Sequence, residues 1–387
     1  MLIEKIIPNG FGLATASDGK KFFFWNALPG EIVTEYDITK NKSSYSEAIA
    51  TKIKHPSEFR VEPKDACFLS TSPWQIMDYE YELKTKPAIV AELFHGHGIT
   101  IDIPEIITDG QDYFYRNKME YALFYSHEDQ KIHLAFHARG SHRKIPIRSS
   151  SLENPAILQK AREIIEDLNA RGEEARKYQS LLLRCSQDGE VSGGLYENKK
   201  PHPVFEPLED QILGQTYSYS PNGFFQINLP VYELALKEIQ KYIKTEEVLD
   251  LYAGVGTIGL SVARDRKLTL VEADKSAFSE LIRNTNNLSN ARAILDKSEN
   301  IVSYIKSHQT IIVDPPRAGL DRKLIESLLE TAPPTVIYLS CNPATEARDV
   351  RMLLEKYQIE SVKTFNFFPH TPHIENLVVL DRRSARS

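Results

Sequence analysis

Three short polar stretches, each placed where an apolar run ends, hold the residues of this chain best suited to chemistry. Ser340-Cys-Asn-Pro343 follows the run Thr335–Leu339 and offers a thiol in a turn-forming setting rather than an apolar one. Asp314-Pro-Pro-Arg317 follows Thr310–Val313, and Glu375 stands between Ile374 and the run Leu377–Leu380. In open α/β sheets the strand ends line the ligand crevice, so a thiol and carboxylates meeting there make a reaction centre. Hydride transfer has no use for such a pair, whereas methyl transfer to carbon 5 of a pyrimidine needs both. Carbon 5 is a poor nucleophile until a thiolate adds to carbon 6 and turns the ring into an enolate. Cys341 is the candidate thiol. Cys67 and Cys185 sit in settings that read as buried apolar filler.

Upstream lies Val248-Leu-Asp-Leu-Tyr-Ala-Gly-Val-Gly-Thr-Ile-Gly-Leu260, which predicts a buried strand, a tight turn and a helix start. The helix's first amides would face a ligand. Gly254 and Gly256 allow backbone shapes and a close approach that a Cβ would block. A second strand, Leu268–Asp274, ends in acids, and Glu272 is placed to hold the two hydroxyls of a ribose. These residues indicate an adenosine-bearing cofactor, and S-adenosylmethionine and NAD both qualify. Farther upstream, Phe224-Phe-Gln-Ile-Asn228 presents a flat ring beside an amide. Phe224 and Gln226 can stack on an extruded base and hydrogen-bond the cofactor or a uracil. An aromatic core knot is the other reading of the phenylalanines. A buried Gln226 would need a designated partner.

In this order, Phe224–Asn228, Asp250–Gly256, Asp314–Arg317, Ser340–Pro343 and His370–Glu375 resemble the RNA uridine C5-methyltransferases, which make 5-methyluridine in tRNA and 23S ribosomal RNA. With a looser match upstream, the resemblance covers nearly the whole chain. It implies S-adenosylmethionine as cofactor, Cys341 as nucleophile and Glu375 as the carboxylate that takes the carbon 5 proton. It places Asp314 near both cofactor and uracil, and Tyr252 and Thr257 beside the cofactor, although the family has another polar residue at the place of Thr257. Arg116 and Lys118, in Tyr113–Glu120, match a segment lining the RNA cleft and are expected at phosphates; surface ion pairing is the other explanation. The target atom is hidden in a stacked helix, so base flipping or an open loop is implied.

The 387 residues are 41% hydrophobic and 26% charged, an ordinary globular composition for two or three domains. A net charge of −6 argues mildly against non-specific nucleic-acid binding, but leaves local basic patches open. No signal peptide is read, and no apolar run reaches the ~20 residues of a membrane helix. Three cysteines fit a reducing, cytoplasmic setting without disulfides, and a monomer is the default.

The expected fold is α/β in three parts. Residues 1–58 predict a small antiparallel β-barrel resembling the TRAM domain, an oligonucleotide-binding type of module. Within it, Phe22-Phe-Phe-Trp25 is either a base-stacking platform or core filling. Residues 59–213 predict a mixed, β-rich RNA-cleft domain around one helix near Asn154–Arg176. Residues 214–387 predict a Rossmann-like methyltransferase domain with helices over Val231–Ile243, Asp274–Asn287, Asp321–Thr331 and Ala344–Tyr357. The family's middle region begins with four cysteines holding an iron–sulfur centre. Here Cys67 fits the first position, the others are missing, and Ser149-Ser-Ser151 stands where the fourth is expected. One thiolate cannot hold a cluster that takes about four, so no metal is expected.

The front barrel favours 23S ribosomal RNA as substrate, with tRNA the alternative. Two distant readings remain: an NAD-dependent oxidoreductase, which leaves Cys341 and Asp314–Arg317 unexplained, and a catalytically inactive RNA-binding protein.

Overall fold

Short apolar runs, each closed by a polar turn, become the strands of a seven-stranded sheet in the computed structural model, which describes residues 1–384. These strands are β1 (Glu247–Leu251), β2 (Lys267–Glu272), β3 (Ala291–Leu295), β4 (Gln309–Val313), β5 (Thr335–Ser340), β6 (Tyr357–Phe365) and β7 (Glu375–Arg382). Their order is β3-β2-β1-β4-β5-β7-β6, with β7 antiparallel to both neighbours. Strand order reverses between β1 and β4, the place where such sheets open a ligand crevice.

Side chains along these strands alternate between two cores, as the pleat requires. Leu249, Leu251, Ile311, Val313, Val336 and Tyr338 point into one. Val248, Ile312, Ile337 and Leu339 point into the other. Helices α1 (Leu229–Gln240), α2 (Thr257–Val262) and α3 (Lys275–Thr285) contribute to the second core. The first is covered by α4 (Arg322–Thr331) and α5 (Pro343–Leu353). The four helices with expected limits, α1, α3, α4 and α5, lie within four residues of them, and α1 begins early because Asn228 caps it, its Oδ1 accepting from Val231 N at 3.4 Å.

One helix was not expected. Tyr79–Gly96 packs with the first core through Ile89, Val90 and Phe94 and lies against α5. Its pattern hides it: Pro87 interrupts the sequence, and Glu82 and Lys86 occupy its buried side.

Residues 5–54 form a five-stranded sheet. Backbone bonds from Ile3 N to Glu31 O (2.9 Å) and from Val33 N to Met1 O (2.8 Å) lay the chain's start beside strand Ile32–Asn41. Phe22 and Phe24 fill its core with Ile3, Val33 and Ala48. Phe23 lies half-buried on the other face, 6.0 Å from Phe11 and 5.3 Å from Tyr45. Core filling thus holds for Phe22 and Phe24, and Trp25 is buried as well.

A six-stranded sheet between Lys118 and His202 packs against helix Pro155–Ala170 through Ile157, Ala161 and Leu168. No helix among the described residues is long and apolar enough to cross a membrane.

Candidate active site

Strand register brings the three polar stretches together. The β5–β7 ladder ends at Ser340 and Asn376, and the residues next to that pair, Cys341 and Glu375, lie close enough for the carboxylate to act on the thiol. Asp314 directly follows β4, which pairs with β5 up to Val313 and Tyr338. The turns are tied to each other: Asn342 Nδ2 donates to Arg317 O at 2.7 Å, and Thr345 Oγ1 donates to the same oxygen at 3.2 Å.

Burial governs the electrostatics. It pushes the Cys341 thiol up to about 12; the Glu375 and Asp314 carboxylates add to this, and the Arg317 guanidinium opposes it. Glu375, 4% exposed, is held well above the usual carboxylate range by burial and then by Asp314, again opposed by Arg317. Burial alone raises Asp314 to about 7. The thiol is therefore protonated in the resting protein at neutral pH.

The glycine turn has a distinct role for each residue. Tyr252 (φ 65°), Gly254 (φ 56°) and Gly256 (φ 92°) are all left-handed. A Cβ on Gly256 would lie 2.7 Å from Leu281 Cδ1, and one on Gly259 would lie 2.7 Å from Asp250 Oδ2. Over Gly254 it would meet nothing within 4 Å, so the space above that amide is open. Glu272 braces the turn, accepting from Gly254 N at 2.8 Å and Asp274 N at 2.6 Å. Asp250 accepts from Gly259 N at 2.9 Å, and its buried Oδ1 has no partner. Open space beside backbone amides and an unused carboxylate oxygen fits a polar cofactor bearing an amine and hydroxyls. Thr257 is buried beside the Tyr232 hydroxyl, and the Tyr252 hydroxyl lies near Ser298.

The Phe224 stretch is held by its backbone, and of residues 224–228 only Phe224 is exposed. Asn117 Nδ2 donates to Gln226 O (3.0 Å), Arg184 Nη2 to Phe225 O (3.0 Å), and Lys118 Nζ to Asn222 O (3.3 Å) and Gly223 O (3.2 Å). Phe225 is buried and stacks on Tyr219 with centroids 3.8 Å apart, whereas Phe224 is 71% exposed. Gln226 is buried. Lys118 is engaged with this loop, and burial lowers its ammonium to about 8. Arg116 is half-buried, and its Nε has no partner.

Sequence reasoning missed a buried clamp on the loop preceding β7. Glu82 and Lys86 pair at 2.7 Å with no exposure. Lys86 Nζ donates to Asn366 Oδ1 (2.7 Å) and Phe368 O (3.1 Å), and Glu82 accepts from His370 N (2.8 Å). Tyr115 adds a bond from its hydroxyl to Pro369 O at 3.0 Å. The only advance signal was the i,i+4 spacing of opposite charges, which ordinarily marks a solvated helix face.

Where an iron–sulfur centre would be held, Asp65 gathers Ser151 N (2.9 Å), Ser151 Oγ (2.9 Å) and Gln75 Nε2 (2.9 Å). Cys67 is the one thiol of this neighbourhood's sequence, and burial raises it to about 11. A single buried thiol packed in an apolar core does not fit a cluster that takes about four. Among the described residues, no group of three or more His, Cys, Asp or Glu could hold a metal ion.

Residues 206–383 match the family model described as tRNA (uracil-5-)-methyltransferase. An RNA methyltransferase of Lactiplantibacillus plantarum, itself uncharacterised, is 30% identical over 98% of this chain and 96% of its own length. A counterpart in Listeria monocytogenes is 28% identical over 98% and 96%. The crystal structure of the Pyrococcus abyssi tRNA (uracil-54, C5)-methyltransferase with S-adenosyl-L-homocysteine shares the fold. It has a TM-score of 0.76 and 23% identity, covering 98% of this chain and 99% of that one. The full-length likeness shows that the chain belongs to the RNA methyltransferase family, with its residues 206–383 matching the tRNA (uracil-5-)-methyltransferase model.

Proposed function

We propose that this protein methylates carbon 5 of a uridine in RNA through a covalent bond between Cys341 and carbon 6, with Glu375 as the base. The observation that carries this is the ladder register setting Cys341 beside Glu375, with Asp314 on the adjoining strand. Gly254, Gly256, Tyr252, Thr257, Glu272, Gln226 and Asp314 would hold S-adenosylmethionine, which supplies an electrophilic methyl carbon. Once its proton has passed to solvent, Cys341 Sγ bonds as the thiolate to carbon 6, and the ring's 5,6 electrons move toward the carbon 4 oxygen as an enolate. Once carbon 5 carries the methyl group, Glu375 takes its proton. The 5,6 double bond re-forms and the thiolate leaves. A carboxylate raised by burial is a stronger base than one in water, which suits this step. Phe224 stacks on the extruded uracil, Asp314 bonds its N3–H, and Arg116 and Lys118 face the RNA backbone.

Residues 1–58 act as a TRAM-like RNA-binding module, 59–213 as the RNA-cleft domain and 214–387 as the catalytic domain of a cytoplasmic monomer. The front module favours 23S ribosomal RNA. One observation favours tRNA instead: the archaeal enzyme whose fold matches over 98% of this chain is a tRNA methyltransferase. Unmodified 23S and tRNA transcripts tritiated at uridine carbon 5 test both readings. Tritium release from one transcript, abolished in Cys341→Ala, is expected. Release by Cys341→Ala, or none from either transcript while S-adenosylmethionine still binds, would overturn the mechanism.

A further inference from the structure

We propose that Phe114 stacks on an RNA base neighbouring the target uridine, a role that rests on the carbon 5 methylation described above. Phe114 lies in Tyr113–Lys118, the segment that touches both loops of the site. Tyr113 stacks on His370 at 4.2 Å and Tyr115 bonds Pro369 O, while Asn117 and Lys118 grip the Phe224 loop. Phe114 does neither. Its ring is 52% exposed, and no aromatic ring among the described residues stacks on it.

The backbone makes this exposure a puzzle for packing. Phe114 has φ 58°, a left-handed conformation that glycine adopts freely and a bulky residue adopts under strain. Strained residues concentrate at ligand sites, where the surroundings hold them in place. Arg116, two residues on, supplies a half-buried guanidinium whose Nε has no partner. A flat apolar ring with a guanidinium on the same segment offers one surface to a base's π face and another to phosphates. Lys118, four positions on, holds the loop of Phe224, the most exposed aromatic side chain among the described residues. One RNA strand bound over this loop would carry its neighbouring bases toward Phe114. A protein partner would call for a contiguous apolar patch of a few hundred Å2, and a single ring provides far less.

The test measures retention of unmodified 23S and tRNA transcripts on filters by the wild type, Phe114→Gly, Phe114→Leu and Phe114→Tyr. Glycine suits the left-handed backbone, so Phe114→Gly removes the ring without disturbing the turn. Leucine keeps apolar bulk without a flat face. Both are expected to weaken RNA binding about tenfold, the scale of one lost base–aromatic stack. Phe114→Tyr is expected to bind like the wild type, and S-adenosylmethionine affinity and Tm are expected to hold in all three. Binding by Phe114→Gly or Phe114→Leu within twofold of the wild type overturns the proposal. So does a tenfold loss in Phe114→Tyr, or failure of the wild type to bind either transcript. Binding needs no turnover, so ring-dependent binding without tritium release would mark the methylation mechanism as what failed, and tritium release with ring-independent binding would mark this role.

Discussion

Replacing Glu375 by glutamine should stop the reaction at an identifiable point. The carboxylate is buried, repelled by Asp314 and opposed only by Arg317, so its charge is held at a disadvantage. The amide has the same shape and no charge to desolvate. Glu375→Gln should therefore fold at least as stably as the parent, and it removes one of the two carboxylates that push the Cys341 thiol up. Addition to carbon 6 and methylation continue, but the carbon 5 proton has lost its base. A positioned general base is worth ~10²–10⁴ in rate, or about 3–5 kcal/mol of barrier at 1.36 kcal/mol per tenfold. Incubation with methyl-tritiated S-adenosylmethionine and transcript should then label about one methyl per active site. The labelled RNA should migrate with the protein on a denaturing gel, and Cys341→Ala should lack that band. Free methylated RNA formed at more than about a tenth of the parent rate would refute the assignment of the base. Methyl transfer without any protein-bound RNA would refute the covalent step.

Two further outcomes follow from the same geometry. A thiol raised from 9.0 to about 12 carries roughly a thousandfold less thiolate at pH 8, the reactive form lying above the pKa. Iodoacetamide should therefore label Cys341 slowly without RNA, about tenfold faster per pH unit between pH 8 and 10, and more slowly still in Arg317→Gln. A fast, pH-independent reaction at pH 8 would contradict this. Lys86→Met leaves the Glu82 carboxylate buried without its cation, and should lower stability by about 3–5 kcal/mol. A Glu82→Gln/Lys86→Met double variant should recover most of that loss, and an unchanged Tm in Lys86→Met alone would refute the clamp.

Much of the site was legible because it lies where local pattern and topology coincide. Buried runs ending in Asp314 and Ser340-Cys341 announce strand ends, and strand ends in such sheets gather in one crevice. Phe22-Phe-Phe-Trp25 was legible only as an alternation, since which face a strand buries depends on its partners. Helix Tyr79–Gly96 escaped because its sequence carries Glu82, Lys86 and Pro87 where an amphipathic reading wants apolar residues. Its charges belong to a loop about 280 residues away in sequence. Lys118 reads as a free cation beside Arg116, and nothing local shows that its ammonium reaches the carbonyls of Asn222 and Gly223. Such contacts are set by tertiary placement, to which single-residue propensity is blind.

The grip of Tyr113–Lys118 on the loops at 222–227 and 369–370 bears on how the protein is made. Its bonds to the second loop span more than 250 residues of sequence, and Glu375 begins the last strand of the sheet to leave the ribosome. Domains emerging from synthesis fold in order, and contacts of large sequence separation form late. The glycine turn and its neighbouring strands can assemble before β7 exists, but Cys341 has no Glu375 beside it until β7 has been made. A nascent chain can thus present a cofactor pocket without a working reaction centre, so synthesis itself keeps the chemistry switched off until β7 joins the sheet.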